Sequence, residues 1–267
     1  MNSKHIGLKL YGAFVALILV LPTLIVIPVS FSNKSSFVFP DGWSLRWYET
    51  FFTDRGWMAA SWNSVQIGLL SALLATVAGT AAAIGLTRWS RRKTSSTLSS
   101  ILLSPMVVPG IVMAIGIYML FSQIGLLGTV HGFVIAHAML GIPFVVVAVT
   151  ASLSGLDVQL EKAAASMGAT PFGVFRQITL PLIVPGVASG ALFAFVSSFD
   201  EVIVSLFIKS PFLETLPVRM YSSVTDDSNP TIAAAGTLVL LFTTLILAVG
   251  SAFSRSRRRK LSPRSSK

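Results

Sequence analysis

The chain has 267 residues, of which 53% are hydrophobic and only 11% charged, too few charges to cover a soluble domain but enough for one whose surface faces lipid. It has no cysteine, which excludes disulfides, iron–sulfur clusters and thiolate zinc sites. The three histidines, His5, His131 and His137, form no i,i+3 or i,i+4 pair that would set two metal ligands on one helix face, and the net charge of +10 has to be read from where the charges fall.

A helix needs about 20 mainly apolar residues to cross the hydrocarbon core of a bilayer. The first such stretch, Leu10–Phe31, follows Lys4 and Lys9, as a signal peptide would. Its apolar run exceeds the roughly 7–15 residues of an h-region and no A-x-A-like site follows, so it is read as an uncleaved first helix. The loop beyond it carries Trp43, Trp47, Trp57 and Trp62 among Tyr48, Phe51 and Phe52. Such a cluster reads as an aromatic belt at the outer interface, a reading compatible with a docking surface for an external partner. Trp62–Leu86 is the second span. Leu98–Phe121 is the third, and Pro105, Pro109 and Gly110 near its start can break it. Thr129–Leu153 is the fourth, where Gly141 and Pro143 can introduce a kink and His131 and His137 are read as packed, satisfied side chains. Leu182–Ile208 and Thr231–Phe253 complete six spans. Gly128-x-x-x-Gly132 and Gly186-x-x-x-Gly190 open the fourth and fifth, a spacing that permits close approach of helices. The expected architecture is an all-α integral membrane protein, residues 1–267 forming one transmembrane domain.

Lysine and arginine set the orientation. With the N-terminus inside, the inner segments hold Lys4, Lys9, Arg88, Arg91, Arg92, Lys93, Lys162, Arg176 and the basic residues from Arg255 onward, against only Asp157 and Glu161. The outer segments hold five basic residues (Lys34, Arg46, Arg55, Lys209, Arg219) and six acids (Asp41, Glu49, Asp54, Glu214, Asp226, Asp227). The positive excess is therefore a topology signal. Both termini are expected on the cytoplasmic side, with Arg255–Lys260 as a stop-transfer and lipid-headgroup anchor and no nucleic-acid site.

Between the fourth and fifth spans, Ser154–Leu180 is too polar to cross. Asp157 can cap a helix whose Leu160, Ala164 and Met167 share one face, and Gly168 can end it as a C′ glycine. Thr170 and Pro171 then start a second short helix carrying Phe172 and Phe175, before Leu180-Pro181 returns the chain to the membrane. Two short helices with exposed apolar residues look like a plug for a groove on another protein.

The run from Glu161 to Gly186 resembles the EAA loop of binding-protein-dependent ABC importer permeases: E-A-A, three residues, G, nine residues, I-x-L-P. Ala163, Ala164, Gly168, Ile178, Leu180 and Pro181 match at the right spacing, while the family's glutamate position is Lys162 with Glu161 beside it. The resemblance implies a type I importer permease whose loop 154–181 is a coupling helix seated in a separate ATPase dimer. Its coupling residues would be Glu161, Lys162, Ala163, Ala164, Gly168, Ala169, Phe172, Phe175, Leu180 and Pro181. No G-x-x-x-x-G-K-[ST] occurs, so ATP is expected on the partner and no cofactor or catalytic residue on this chain.

Asp200 and Glu201 are the charged residues inside a span, where charge is costly, and are candidates for the substrate path. On a continuous helix they would diverge by about 100°, one toward the path and the other toward a neighbouring helix or subunit. Asp226 and Asp227 would extend the same anionic field. The segments Ser198-Phe-Asp-Glu-Val-Ile-Val-Ser205 and Gly42-Trp-Ser-Leu-Arg-Trp-Tyr48 look like the spermidine/putrescine branch of these permeases. That likeness implies a polyamine substrate, an external binding protein, a second homologous permease subunit and a bacterial inner membrane. Another amino compound or organic cation is the alternative within the class. An intramembrane acid-pair enzyme or a gradient-driven carrier is the alternative outside it.

Overall fold

The computed structural model describes residues 3–34, 40–88, 92–225 and 230–261, with side chains described for 7–34, 40–88, 96–225 and 230–250. Asp226 and Asp227 lie outside the described residues, as do the side chains of Lys4 and of Arg255–Lys260. The helices run in the order α1 Ser3–Ser30, α2 Arg46–Thr53, α3 Arg55–Arg88, α4 Arg92–Leu103, α5 Gly110–Ile124, α6 Val130–Ser154, α7 Val158–Ser166, α8 Pro171–Val174, α9 Leu180–Phe199, α10 Ile203–Ile208, α11 Leu216–Thr225 and α12 Thr231–Leu261.

Among the described residues five helical runs are long and apolar enough to cross a membrane: Gly7–Ser30, Arg55–Arg88, Val130–Ser154, Pro171–Phe199 and Thr231–Gly250. A sixth span is complete only if Ser96–Met106 and Gly110–Ile124, bent by 97° at the break between them, are taken together. The third span, Leu98–Phe121, is thus interrupted, as Pro105, Pro109 and Gly110 near its start predict. Pro109 can donate no N–H and holds ψ at 133°, so α4 and the 3₁₀ turn Ser104–Met106 stop short of it and α5 starts afresh. The fifth span is broken too. The expected helix Leu182–Ile208 ends at Phe199 and restarts at Ile203, although the sequence there has neither proline nor glycine.

Internal contacts divide the chain into two units, Met1–Ala59 with Arg219–Thr244 and Ala60–Val218 with Leu245–Lys267. In the first, α1 is exposed along its apolar length. At its C-terminal end Ser30 Oγ meets Tyr48 Oη at 2.7 Å, and Trp47 Nε1 donates to Ser32 O at 2.7 Å. The aromatic belt reading is only half right. Trp43 and Phe52 are exposed, but Trp47, Phe51 and Trp57 are buried. Trp47 and Phe51 are i,i+4 on the inner face of α2, and Phe51 packs on Trp57 with ring centroids 5.7 Å apart. Gly236 of α12 lies over Val26 of α1 and Met220 of α11, where even a methyl group finds ordinary contact.

In the second unit α6 and α9 meet backbone to backbone. A Cβ on Gly190 would lie 2.8 Å from Val145 Cα, and one on Gly186 would run into Ser152 Oγ and Ala148 O. On the other side of α6, a Cβ on Gly79 of α3 would lie 2.7 Å from Val145 Cβ, and Gly141 faces both Ala194 and Ala75. So Gly186-x-x-x-Gly190 is a helix contact. Gly128-x-x-x-Gly132 is not: Gly128 has φ +67° in the turn before α6, and Gly132 fits against the Leu126 carbonyl of that same turn. Thr129 Oγ1 accepts from Gly132 N at 3.0 Å and caps α6, which continues through Pro143. Ile67, Ile117, Phe121, Phe133, Val204 and Ile208 form an apolar core between α3, α5, α6 and α10. His137 is buried and satisfied, whereas His131, read as packed, is exposed on the face of α6 beside Leu70 and Leu74.

Replacing Gly190 by alanine sets the added methyl against Val145 backbone and costs about 1–3 kcal/mol of overpacking. Thermal melting of detergent-solubilised protein should show a lower midpoint for Gly190→Ala and none for Gly85→Ala, where nothing lies within 4 Å.

Candidate functional site

The segment between α6 and α9 folds by local chemistry. Asp157 Oδ1 accepts from Gln159 N at 2.9 Å and opens α7. The helix closes on a pair of reversed bonds, Gly168 N to Ala165 O at 3.0 Å and Ala169 N to Ala164 O at 3.1 Å. Gly168 holds the left-handed φ of +88° this closure requires. Thr170 Oγ1 then accepts from Gly173 N at 3.2 Å with Pro171 in the first turn of α8.

The helix does not stop where Leu180-Pro181 returns the chain to the membrane. α8 passes through a π turn, Phe175–Thr179, directly into α9, so 171–199 is one helical run. Leu180 N reaches back five residues to Phe175 O, widening the turn just where Pro181 has no N–H to give.

The loop sorts its residues into two sets. Lys162, Ala163, Gly168, Phe172 and Pro181 are exposed, Glu161, Ala169, Phe175 and Leu180 are half-buried, and Ala164 is buried. The face expected to carry Leu160, Ala164 and Met167 together is split. Leu160 and Met167 point out, while Ala164 is covered where the chain folds back onto its carbonyl. Met167 and Phe172 are 83% and 69% exposed, an apolar surface that the described residues leave uncovered.

Glu161 and Lys162, adjacent in sequence, go opposite ways. Glu161 Oε1 accepts from Arg88 Nη2 at 3.1 Å and from Thr179 Oγ1 at 2.7 Å, tying α7 to the end of α3 and to the π turn. Both charged side chains are at least four-fifths buried, 20% exposed for Arg88 and 15% for Glu161. They line a cavity of about 330 Å³ with Ala165, Ala169, Val174 and Phe175. Sequence reasoning missed Arg88 and Thr179 as partners, having counted the arginine only toward topology.

The second candidate region is the break in the fifth span. Asp200 caps α9 with φ −96° and ψ 0°, its N–H on Val196 O. Glu201 Oε1 accepts from Val204 N at 2.9 Å, giving an acceptor to a backbone donor freed by the break. The divergence of about 100° expected on a continuous helix therefore does not apply. Asp200 is exposed, and Glu201 is half-buried. Glu201 lines a cavity of about 250 Å³ with Met106, Met113, Phe144 and Ser197, bounded on one side by the broken third span. Its wall combines one carboxylate, a hydroxyl, thioethers and an aromatic ring. Among the described residues no three histidine, aspartate or glutamate side chains gather as a metal site would need.

Residues 75–259 match the family model for the binding-protein-dependent transport system inner membrane component. The spermidine/putrescine transport system permease protein PotC of Escherichia coli K12 is 32% identical over 255 residues, covering 94% of this chain and 96% of the relative. The putrescine transport system permease protein PotI of the same organism is 34% identical over 229 residues, 82% of this chain and 80% of its own. Among solved structures, a bacterial ABC transporter importing the acidic polysaccharide alginate superposes with TM-score 0.74 at 16% identity, over 94% of both chains. At that identity the likeness is one of fold: an all-α, multi-pass permease.

Arg88→Ala and Glu161→Gln each remove a charge-assisted bond worth about 1.5–3 kcal/mol, so the loop opens more often by roughly tenfold or more. Trypsin cleavage at the exposed Lys162 and Arg176 reads that opening. The double variant is expected to be cut no faster than the faster single one, and additive rates would show that the two side chains act apart.

Proposed function

This chain belongs to the family of binding-protein-dependent transport system inner membrane components, the permease subunits of ABC-type importers, and from that premise we propose that it imports a polyamine such as putrescine or spermidine. The observation that carries the substrate reading is the cavity beside the broken fifth span. A polyamine is a flexible methylene chain with two or more ammonium groups. Glu201 offers a carboxylate to one of them, Phe144 an aromatic face for cation–π attraction, and Met106 and Met113 soft apolar walls for the methylenes. Exposed Asp200 adds a second negative group on the same break, suited to an entering or leaving cation. The likeness to PotC and PotI over most of the chain supports the same class.

In this reading an external binding protein delivers substrate to a pair of homologous permease subunits, this chain being one. The exposed apolar surface of Met167 and Phe172, backed by Glu161, Ala163, Ala164, Ala169, Phe175, Leu180 and Pro181, seats in an ATPase subunit of a dimer. Lys162, turned outward, sits at the rim of that contact. Both termini face the cytoplasm. ATP-driven closure of the ATPases moves the loop, and α9 carries the motion to the acids at its far end. This chain performs no chemistry of its own.

Uptake of labelled putrescine and spermidine, with and without the chain and with competing amines and amino acids, tests the substrate. Loss on deletion, competed only by polyamines, supports the reading. Uptake lost instead for another amine would keep the importer and change its cargo. Glu201→Gln is expected to raise the apparent KM by roughly tenfold or more, the worth of one charge-assisted bond. Gly168→Leu forces a side chain into a left-handed backbone and should leave ATP hydrolysis running without uptake. Normal uptake in that variant would count against the coupling surface.

A further inference from the structure

We infer that His137 is a positioning residue for the acidic pair, holding the two halves of the broken fifth span in fixed relation; the inference rests on the substrate-path reading of Asp200 and Glu201. His137 is 1% exposed, and its ring reaches both halves from α6. Nδ1 lies 2.8 Å from Ser198 Oγ in the last turn of α9, and Nε2 lies 3.0 Å from Ser205 Oγ in α10. Ser198 and Ser205 are themselves buried.

Counting hydrogens gives the bonds a direction. Ser205 has one hydroxyl hydrogen and donates it to the Glu201 carbonyl at 2.9 Å. Toward the ring Ser205 therefore accepts, so Nε2 carries the proton. With the ring neutral, Nδ1 holds the lone pair that can accept from Ser198 Oγ. One chain of bonds runs from Ser198 through His137 and Ser205 to the Glu201 carbonyl. All its polar atoms are satisfied by one another.

This chain brackets residues 199–204, the segment that carries Asp200 and Glu201. The local bonds there, Val204 N to the Glu201 carboxylate and Ser205 to the Glu201 carbonyl, belong to the fifth span itself. His137 adds a polar tie from this segment to α6, beside the apolar packing of Phe133 with Val204 and Ile208, and the close approach at Gly186 and Gly190 holds α6 against α9. Phe133, fully buried one turn away with its ring centroid 5.7 Å from the imidazole, limits the ring's room to swing. A side chain of similar size without ring nitrogens would fill the space and keep the apolar packing, but it would remove the polar link between the two halves of the span.

The test uses the assembled importer and the absence of native cysteine. Asp200→Cys supplies the one thiol of this chain, and its rate of labelling by a cationic methanethiosulfonate, read on this chain after it is separated from its partners, reports where position 200 sits, whatever the cargo. His137→Leu should shift that rate by roughly fivefold, the worth of one buried bond, and His137→Gln, able to accept from Ser198 and donate to Ser205, should restore it. With Asp200 intact, His137→Leu should raise the apparent KM for spermidine by roughly fivefold while Vmax per assembled transporter changes less. If His137→Leu fails to assemble, Ser205→Ala removes the link to the Glu201 carbonyl and should give the same shifts. Unchanged labelling in an assembled His137→Leu or Ser205→Ala protein overturns the inference. Altered labelling in a transporter that takes up no polyamine upholds the positioning role and removes the polyamine reading alone.

Discussion

Where α9 crosses α6, two glycines replace side chains by bare backbone, and most of the features with functional character depend on that proximity. Lipid gives helices no hydrophobic reason to associate, so contact must come from fit and from polar bonds. Gly186 and Gly190 supply the fit against Ala148, Ser152 and Val145. Because the helices are that close, a histidine of α6 can bond serines on both sides of a break in the fifth span. The segment that joins the two helices, 155–179, is anchored at both ends by the same contact.

The break itself follows from a rule of the bilayer: each backbone donor and acceptor there needs an internal partner. Restarting the helix at Ile203 frees the N–H donors of its first turn. Glu201 meets one of them through its carboxylate and Ser205 meets its carbonyl in return. Glu201 thus caps the restarted helix and lines a cavity at once. At the other end of α9, the π turn and Thr179 meet the Glu161–Arg88 pair. The two candidate regions are the two ends of one helix of 20 residues, roughly 30 Å long at the usual rise. Displacement at one end reaches the other without any further moving part.

What the sequence made legible was chiefly what is decided within a few residues. Asp157, Gly168, Thr170 and Pro171 act through caps and φ preferences, and Pro109 breaks a helix by lacking a donor. Each was readable in place. The failures share a different origin. Arg88 and Glu161 stand 73 positions apart, and nothing local announces their bond. The interruption after Phe199 has no proline or glycine to mark it, because it is stabilised by side chains folding back on the backbone. The aromatic loop was read by composition, although the i,i+4 spacing of Trp47 and Phe51 on an amphipathic helix already pointed to burial. His137 was rightly read as satisfied, but its partners on either side of an unforeseen break were beyond sequence reasoning.

The π turn at 175–179 has a consequence for how α9 and the loop are phased. It is an α-helix holding one residue more than the regular count, and each residue turns a helix by about 100°. Everything on its N-terminal side, Phe172 and the chain leading from α7, is rotated by that amount relative to the face of α9 that meets α6. Removing one residue from the turn would leave both pieces internally unchanged and helical, yet swing the loop about a third of the way around α9 and away from Arg88. The turn therefore works as a dial. Its single extra residue sets the compass bearing of the loop against the rest of the span.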